Sequence, residues 1–290
     1  MNWQIFILLF YVANVSRSLI QRRFLRRSKL PEQMSAAVSN LLGVLPISFV
    51  FGLLLPHTVN WSWTTVGLLL GEAIFIGLYV IIGFRAIKML PIAQYQTINQ
   101  SQTLFVITLG TIVLGERLTL LQGIGCIFIL SAAYLIARTV HQHKKRNNEK
   151  TTGIWLTVAG AIIMAVGLIF EKAALGHMDT GAYYMYGFTA QTIMVCILAA
   201  PYTSRKLINS LTFSDLRNYV AIGFASSLAG MAYLTALSKA DNISRIGTLT
   251  AFSLPLTALM SYWLLRERDH AKQVFIAGGL GLVGVIITSL

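Results

Sequence analysis

A single glutamate lies deep in an apolar segment and is the side chain best suited to chemistry. Glu72, in TTVGLLLGEAIFIGLYV, follows Trp63 by nine residues, which places it near the bilayer midplane if the segment spans a membrane. A charged carboxylate there costs roughly 2.5–3.5 kcal/mol on insertion scales. Burial favours the neutral acid, which suits a group that exchanges a proton or binds a cationic substrate. The alternative is a protonated structural carboxyl group bonded to a neighbouring helix.

A run of polar side chains is the second feature of this kind. Residues 94–103 have the sequence QYQTINQSQT and precede a further apolar run. In a helix, four of them fall on one face at i, i+3, i+4 and i+7: Gln96, Asn99, Gln100 and Thr103. Unpaired amides facing lipid would cost roughly 2–7 kcal/mol each, so this face must contact other helices or a cavity. Interhelical hydrogen bonds are the simpler interpretation, but the density of the stripe favours a cavity wall.

The elements that position these residues are apolar helices. The 290-residue chain is 56% hydrophobic and only 11% charged, which is typical of a helical membrane protein. Ten apolar stretches are long enough to cross a bilayer: 2–20, 34–55, 63–87, 92–114, 119–139, 153–174, 181–200, 216–239, 243–265 and 270–289. We therefore predict an all-α membrane protein of ten transmembrane helices. Pro46 is expected to kink the second of them and to free carbonyl groups that neighbours must satisfy.

The net charge of +13 is explained by topology rather than by a nucleic-acid partner. Nineteen Lys and Arg residues follow the odd-numbered spans, and only four lie on the other side: Arg117, Lys172, Lys239 and Arg245. The positive-inside rule makes the basic side cytoplasmic and places both termini outside. We expect a multi-pass protein of the cell (plasma or inner) membrane. Arg17 is expected to reach the interface, and Glu171 to form an interfacial ion pair beside Lys172.

The sequence repeats itself with a shift of 151 positions. Lys88 then meets Lys239, Thr97 meets Thr248, and the Glu-Arg pair after the fourth span meets its counterpart after the ninth. Five spans per repeat make the second repeat enter the membrane from the opposite side, so the repeats are inverted. We predict a first repeat over residues 1–140, a basic cytoplasmic linker over 141–152 and a second repeat over 153–290. In transporters that are built from two inverted repeats, the substrate-binding site lies near the bilayer midplane, between the repeats.

Two long segments carry a resemblance to a known family. They are AIKMLPIAQYQTINQSQTLFVITLGTIVLGERLTLLQGIGCIFIL and ALSKADNISRIGTLTAFSLPLTALMSYWLLRERDHAKQVFIAGGLGLVGV, and they resemble the paired repeats of the drug/metabolite transporter superfamily, the ten-helix EamA-type permeases. The resemblance implies a central cavity lined by the first, third and fourth helices of each repeat. The implied cavity residues add Asn14, Tyr233, Thr248 and Thr250 to Glu72 and the polar stripe. Asn14 could equally form a simple helix–helix hydrogen bond.

The resemblance disagrees with the charge distribution about the orientation of the chain in the membrane. Ten-helix members usually keep both termini in the cytoplasm, whereas the basic residues here follow the first span. Either this chain is inverted relative to the usual member or one span is counted wrongly.

The leading hypothesis is a secondary active transporter of a small organic metabolite or drug, working by alternating access. Export is favoured by family habit, and Glu72 is the candidate for proton coupling. A flippase for lipid-linked intermediates, or a channel on the same fold, is the alternative. The sequence predicts no cofactor, no metal and no enzymatic activity, since its five histidines are scattered at loop level. Ala277 and Gly281 form a small-xxx-small pair that could pack within the monomer or across a homodimer.

Overall fold

The structure is a computed structural model that describes residues 3–28, 30–114, 120–141, 148–239, 253–266 and 271–288. Within these ranges the chain is helical apart from short connections and one isolated β-bridge. The first half contains the helices α1 (Trp3–Leu25), α2 (Glu32–Ser39), α3 (Leu45–Leu54), α4 (Trp63–Met89), α5 (Ile92–Asn99), α6 (Ser101–Leu114) and α7 (Leu120–His141). The second half contains α8 (Asn148–Ala174), α9 (Thr180–Ala199), α10 (Arg205–Asn209), α11 (Phe213–Lys239), α12 (Ser253–Leu264) and α13 (Ala271–Thr288).

Six helical segments are long and apolar enough to cross a membrane: Ile5–Leu25, Glu32–Leu54, Trp63–Met89, Asn148–Ala174, Thr180–Tyr202 and Phe213–Ala236. Two shorter apolar helices cover Gly123–Ala132 and Lys272–Gly284. Large apolar side chains such as Trp63, Trp155 and Trp263 are exposed on the outside of the bundle, where lipid would cover them. The predicted all-helical membrane fold is confirmed, and the exact number of ten spans stays a prediction.

The helices pack in a pattern that relates the two halves of the chain. The first helix of each half packs on the third span of the other half, α1 on α11 and α8 on α4. The second spans pack on each other through α3 and α9, and the fifth spans do so through α7 and α13. Exchanging the halves leaves these pairings unchanged, which is what two inverted repeats require.

A π-helical turn lies just before Pro46, the residue at which a kink is predicted. Residues Asn40–Val44 form a π-helix between α2 and α3, just before the proline, whose missing N–H interrupts the regular ladder. The Ser227 hydroxyl of α11 donates to the Val44 carbonyl at 3.0 Å. A neighbouring helix therefore bonds to a carbonyl two residues before Pro46.

Glycine allows the π-helical segment Asn40–Val44 to lie directly against α11. A Cβ added to Gly43 would lie 2.6 Å from the Gly223 Cα, a distance that side-chain-bearing residues cannot adopt. Ser35 lies in hydrogen-bond contact with Tyr219 of α11, with 2.8 Å between their hydroxyl oxygens. Small residues and hydroxyl groups thus hold the two repeats together here, as is common between membrane helices.

The small residues of the last helix pack inside the chain. Ala277 is completely buried in the main core, and a Cβ on Gly281 would lie 3.6 Å from the Ala132 Cβ of α7. Of the two alternatives that the sequence left open, this pair serves packing within the monomer.

The α3–α4 and α8–α9 connections pair with each other at one end of the bundle. Val59 forms an antiparallel β-bridge with Met178. The Asn60 N–H donates to the His177 carbonyl at 2.9 Å, and the Asp179 N–H donates to the Thr58 carbonyl at 3.0 Å. We call residues 56–60 and 177–181 the latch, and this end of the bundle the latch end. The opposite end, where the α1 arginines lie, is the basic end.

Candidate functional site

Glu72 is almost completely buried, at 1% exposure. It lies nine residues into the 27-residue helix α4, about 6 Å toward the latch end from the middle of that helix. Tyr183 of α9 interacts electrostatically with the carboxyl groups of Glu72 and of Glu171 of α8, and Glu171 interacts in the same way with Glu72. Glu72 Oε2 is buried without a hydrogen-bond partner among the described residues. We call Glu72, Tyr183 and Glu171 the acidic cluster.

Close contact between α4 and α8 brings the two carboxyl groups together. A Cβ on Gly71 would lie 2.6 Å from the Phe170 ring, and the Phe75 and Phe170 rings stack with centroids 5.7 Å apart. Because each acidic residue directly follows one of these contact residues, close helix packing positions both carboxyl groups. Glu171 thus lies near Tyr183 of α9 and is also partly exposed, so its expected ion pair at the interface stays a prediction.

Further tyrosines surround Glu171. Tyr184 and Tyr233 both interact electrostatically with its carboxyl group. The Tyr184 hydroxyl donates to the Gly230 carbonyl of α11 at 3.0 Å, and the Tyr233 ring packs 6.2 Å from that of Phe10 on α1. The acidic cluster therefore lies where α4, α8, α9 and α11 meet, with α1 beside it.

A second polar group, nearer the basic end, joins the two repeats. Asn14 of α1 donates from Nδ2 to the Ser253 hydroxyl of α12 at 3.3 Å. The Ser18 hydroxyl donates to the Asn14 carbonyl at 2.8 Å, and Gln96 Nε2 of α5 donates to the Ser18 hydroxyl at 2.9 Å. We call these four residues the amide cluster.

Asn99 is connected to the α4 face that carries Glu72. Its Nδ2 donates to the Tyr79 hydroxyl at 3.3 Å, while its buried Oδ1 has no hydrogen-bond partner among the described residues. Tyr79 follows Glu72 by seven residues, so the two lie on one face of α4 about 10 Å apart. The Tyr79 and Tyr95 hydroxyls approach to 3.5 Å.

Arg17 is partly exposed, and its expected extension to the interface stays a prediction. Its Nε is buried without a hydrogen-bond partner in the described part of the chain, and it interacts electrostatically with Tyr95. Sequence reasoning did not identify Arg17 as a candidate site residue. The available signal was helical spacing, because Arg17 follows Asn14 by three residues.

The remaining predicted site residues are only partly described. The helix predicted over the polar stripe is interrupted at Gln100, between α5 and α6, so the stripe does not continue on one straight helix. Thr103 lies in α6, but its side chain is outside the description, and Thr248 and Thr250 lie outside the described residues altogether. In the described part of the chain no three His, Cys, Asp or Glu side chains are grouped as a metal site requires.

Arg22 ties α1 to the basic end of α4. Its Nη1 donates to the Ile87 carbonyl at 2.5 Å and to the Lys88 carbonyl at 2.8 Å. These carbonyls belong to the last turn of α4, which has no intrahelical partners for them, and a cation there also complements the helix dipole. Lys88 in turn forms a salt bridge of 2.8 Å with Glu32 of α2.

Together these features define a class of protein. A helical membrane bundle made of two inverted repeats, with buried polar clusters between the repeats, has the architecture of a secondary transporter. The chain belongs to the EamA-like transporter family, whose sequence profile matches residues 1–138 and 151–290. It is therefore a multi-pass membrane transporter of small molecules.

Two further comparisons complete this assignment. No curated protein matches the chain. A solved structure described only as "Crystal structure of protein" is similar over 98% of both chains, with a TM-score of 0.67 and 15% sequence identity. At that identity the likeness shows the fold alone.

Proposed function

We propose that this protein is a secondary active exporter of a small organic cation, coupled to protons and working by alternating access. The observation that carries the proposal is the acidic cluster, in which the buried Glu72 and the partly buried Glu171 lie on closely packed helices of the two repeats and both interact electrostatically with Tyr183. Two negative charges so close in a medium of low dielectric repel each other strongly, so a proton or an organic cation stabilises the pair. Because both ligands use the same carboxyl groups, binding one favours release of the other.

The latch supplies the barrier that alternating access requires. It joins the connections of both repeats directly above the acidic cluster, since Asp179 of the latch precedes Tyr183 by one helical turn. Opening the latch would expose the cluster to one side of the membrane. Rocking of the repeats 1–140 and 153–290 about the linker 141–152 would then expose it to the other side.

The remaining polar residues fit the path of a cation through the bundle. The amide cluster, Tyr79 and Asn99 continue the polar surface from the acidic cluster toward the basic end. Tyrosine rings along this path can bind an organic cation through their faces. With the basic end in the cytoplasm and both termini outside, the substrate enters beside the amide cluster and leaves at the latch end.

The test is substrate-driven proton movement in proteoliposomes, over a panel of amines, amino acids and aromatic cations. We expect at least one cation to drive proton flux in the wild type, and Glu72→Gln and Glu171→Gln to abolish that flux. Glu149→Gln, which removes a carboxylate from an exposed position, is the matched control and should behave as the wild type does.

Three outcomes would contradict the proposal. Unchanged proton flux in both cluster variants would remove the acidic cluster from the mechanism. Transport of a compound without any proton movement would leave a facilitator built around the amide cluster, and no movement of any compound on the panel would favour the flippase alternative.

A further inference from the structure

A cavity of about 440 Å³ lies at the basic end, and five of its seven lining residues are arginines. They are Arg22, Arg23, Arg26, Arg27 and Arg266, and the other two are Leu264 and Leu265. The cavity lies between the end of α1, in the first repeat, and the end of α12, in the second. Topology accounts for arginines at this end of the bundle, but not for the arrangement of five of them around one open cavity.

We infer that this cavity binds a phosphate-bearing anion. Arginine presents planar pairs of N–H donors that match phosphate oxygens, and this makes it the usual residue of phosphate sites. Arg22 already uses one nitrogen on the α4 carbonyls, whereas the side chains of Arg23, Arg27 and Arg266 are exposed. These three can turn toward a ligand without breaking the Arg22 contact.

The backbone of Arg266 supports a binding role. Its φ of 54° lies in the left-handed region. Residues other than glycine, asparagine and aspartate rarely adopt this conformation. It directly follows Leu265, whose N–H donates back to the Ser261 carbonyl at the end of α12. This is where glycine commonly ends a helix. An arginine in this conformation is an outlier of the kind that marks a functional position.

The lining also indicates what else the ligand carries. Leu264 is 64% exposed and borders the cavity, so an apolar group attached to the phosphate has a surface to cover. The headgroup of an anionic phospholipid and a soluble phosphate ester share this chemistry. A ligand held by both α1 and α12 would connect the repeats at the basic end, as the latch connects them at the other end.

The experiment measures binding and thermal stability of the purified full-length protein in a neutral detergent. The probes are phosphatidylglycerol, phosphatidylcholine and glycerol phosphate. We expect phosphatidylglycerol to raise Tm by several degrees, and phosphatidylcholine to have little effect. The variant Arg23→Gln/Arg27→Gln/Arg266→Gln should bind phosphatidylglycerol at least tenfold more weakly.

The matched control removes the same charge elsewhere on the basic side. Arg205→Gln/Lys206→Gln/Arg217→Gln changes three exposed cations outside the cavity and should bind as the wild type does. If both triple variants lose binding equally, surface charge alone attracts the lipid and the inference is wrong. The variant Arg23→Lys/Arg27→Lys/Arg266→Lys keeps the charge but lacks the paired N–H donors of arginine, so it should bind more weakly than the wild type. A lipid-free Tm equal to that of the wild type shows that weaker binding of a variant does not come from misfolding.

Glycerol phosphate distinguishes the two sources of the ligand. If glycerol phosphate by itself raises the Tm of the wild type, and Arg23→Gln/Arg27→Gln/Arg266→Gln abolishes this increase, the site binds a soluble phosphate ester. If only phosphatidylglycerol raises the Tm of the wild type, the site binds a lipid headgroup. If neither compound binds the wild type, the cavity has no such ligand and the inference fails.

Discussion

Asn14 Nδ2 lies 3.3 Å from the Ser253 hydroxyl, and this hydrogen bond joins the first helix of one repeat to the fourth span of the other. Both side chains are more than nine-tenths buried. The sequence shift of 151 positions makes Ser253 the counterpart of Gln102, in the span that carries the polar stripe. A contact between these two helices must be remade or lost whenever the repeats move relative to each other.

A double-mutant cycle on this pair should show direct coupling. Asn14→Ala and Ser253→Ala each leave a buried partner with fewer bonds, and we expect a coupling of about 0.5–1.5 kcal/mol in the free energy of unfolding. The measurement is reversible unfolding in mixed detergent. Asn14→Ala paired with Ser131→Ala, whose hydroxyl bonds only within its own helix as far as the structure describes, should be additive. Additivity in the Asn14–Ser253 cycle would show that the bond does not form.

Tyr183→Phe tests the acidic cluster without changing its packing. The variant keeps the buried ring and its edge-on contact with Phe188, whose centroid is 6.0 Å away, but it lacks the hydroxyl group that interacts electrostatically with both carboxyl groups. Hydrogen bonds to charged groups contribute about 1.5–3 kcal/mol. We therefore expect the affinity for the transported cation to fall roughly 10- to 100-fold, measured by equilibrium binding to purified protein.

The control for this prediction is another tyrosine of the same chain. Tyr134→Phe changes a 68%-exposed residue of α7 and should leave the affinity unchanged. Equal affinity in Tyr183→Phe and the wild type would mean that the hydroxyl takes no part in binding.

The location of Glu72 shows how much of the site could be predicted. Helical spacing and depth in an apolar segment identified Glu72, and they placed Gln96 and Asn99 on one face of their helix. Both properties depend on a single segment. The partner of Glu72 depends on which helices touch, and a sequence without contact information does not supply this.

Glu171 illustrates the same limit. It lies near the end of α8, beside Lys172, so depth alone favoured an interfacial ion pair. The contact of Gly71 with Phe170 brings α4 against α8, and the resulting approach of Glu171 to Glu72 could not be read from either segment alone. The arginine cavity was missed for the same reason, because the basic run after the first span was visible but the approach of α12 was not.

Gly43→Ala should destabilise the packing of the π-helical segment on α11. The added methyl group would lie 2.6 Å from the Gly223 Cα, which is backbone and cannot turn aside. Overpacking of this kind costs typically 1–3 kcal/mol. The measurement is the free energy of unfolding in mixed detergent, together with Tm.

Gly67→Ala is the matched control for this substitution. It also lies within a helix, and a Cβ there has no heavy atom within 4 Å. Since alanine is the better helix former, Gly67→Ala should be neutral or raise stability by about 0.5–1 kcal/mol. A similar loss of stability in both variants would show that the close contact with α11 is not the cause.

The latch should weaken in acid because of Asp179. The Thr58 hydroxyl donates to Asp179 Oδ2, the Thr58 N–H donates to the same oxygen at 3.2 Å, and these bonds hold the pKa of Asp179 below its ordinary value. A carboxyl group whose pKa is lowered in the closed latch favours closure above the ordinary pKa of about 3.9. That contribution is lost as the pH falls through the lower value, when Asp179 takes up its proton.

Hydrogen exchange of the latch amides, corrected for the intrinsic pH dependence, measures this effect. We expect the protection of the Asn60 and Gly181 amides to be constant between pH 6 and about pH 5 in the wild type and to fall progressively at lower pH. In Asp179→Ala it should already be low at pH 6 and change little with pH. Asp215→Ala is the control, because Asp215 accepts the same pair of bonds from Thr212 within its own segment and lies outside the latch. Latch protection that stays constant with pH in the wild type would show that the Asp179 carboxylate does not hold the latch closed.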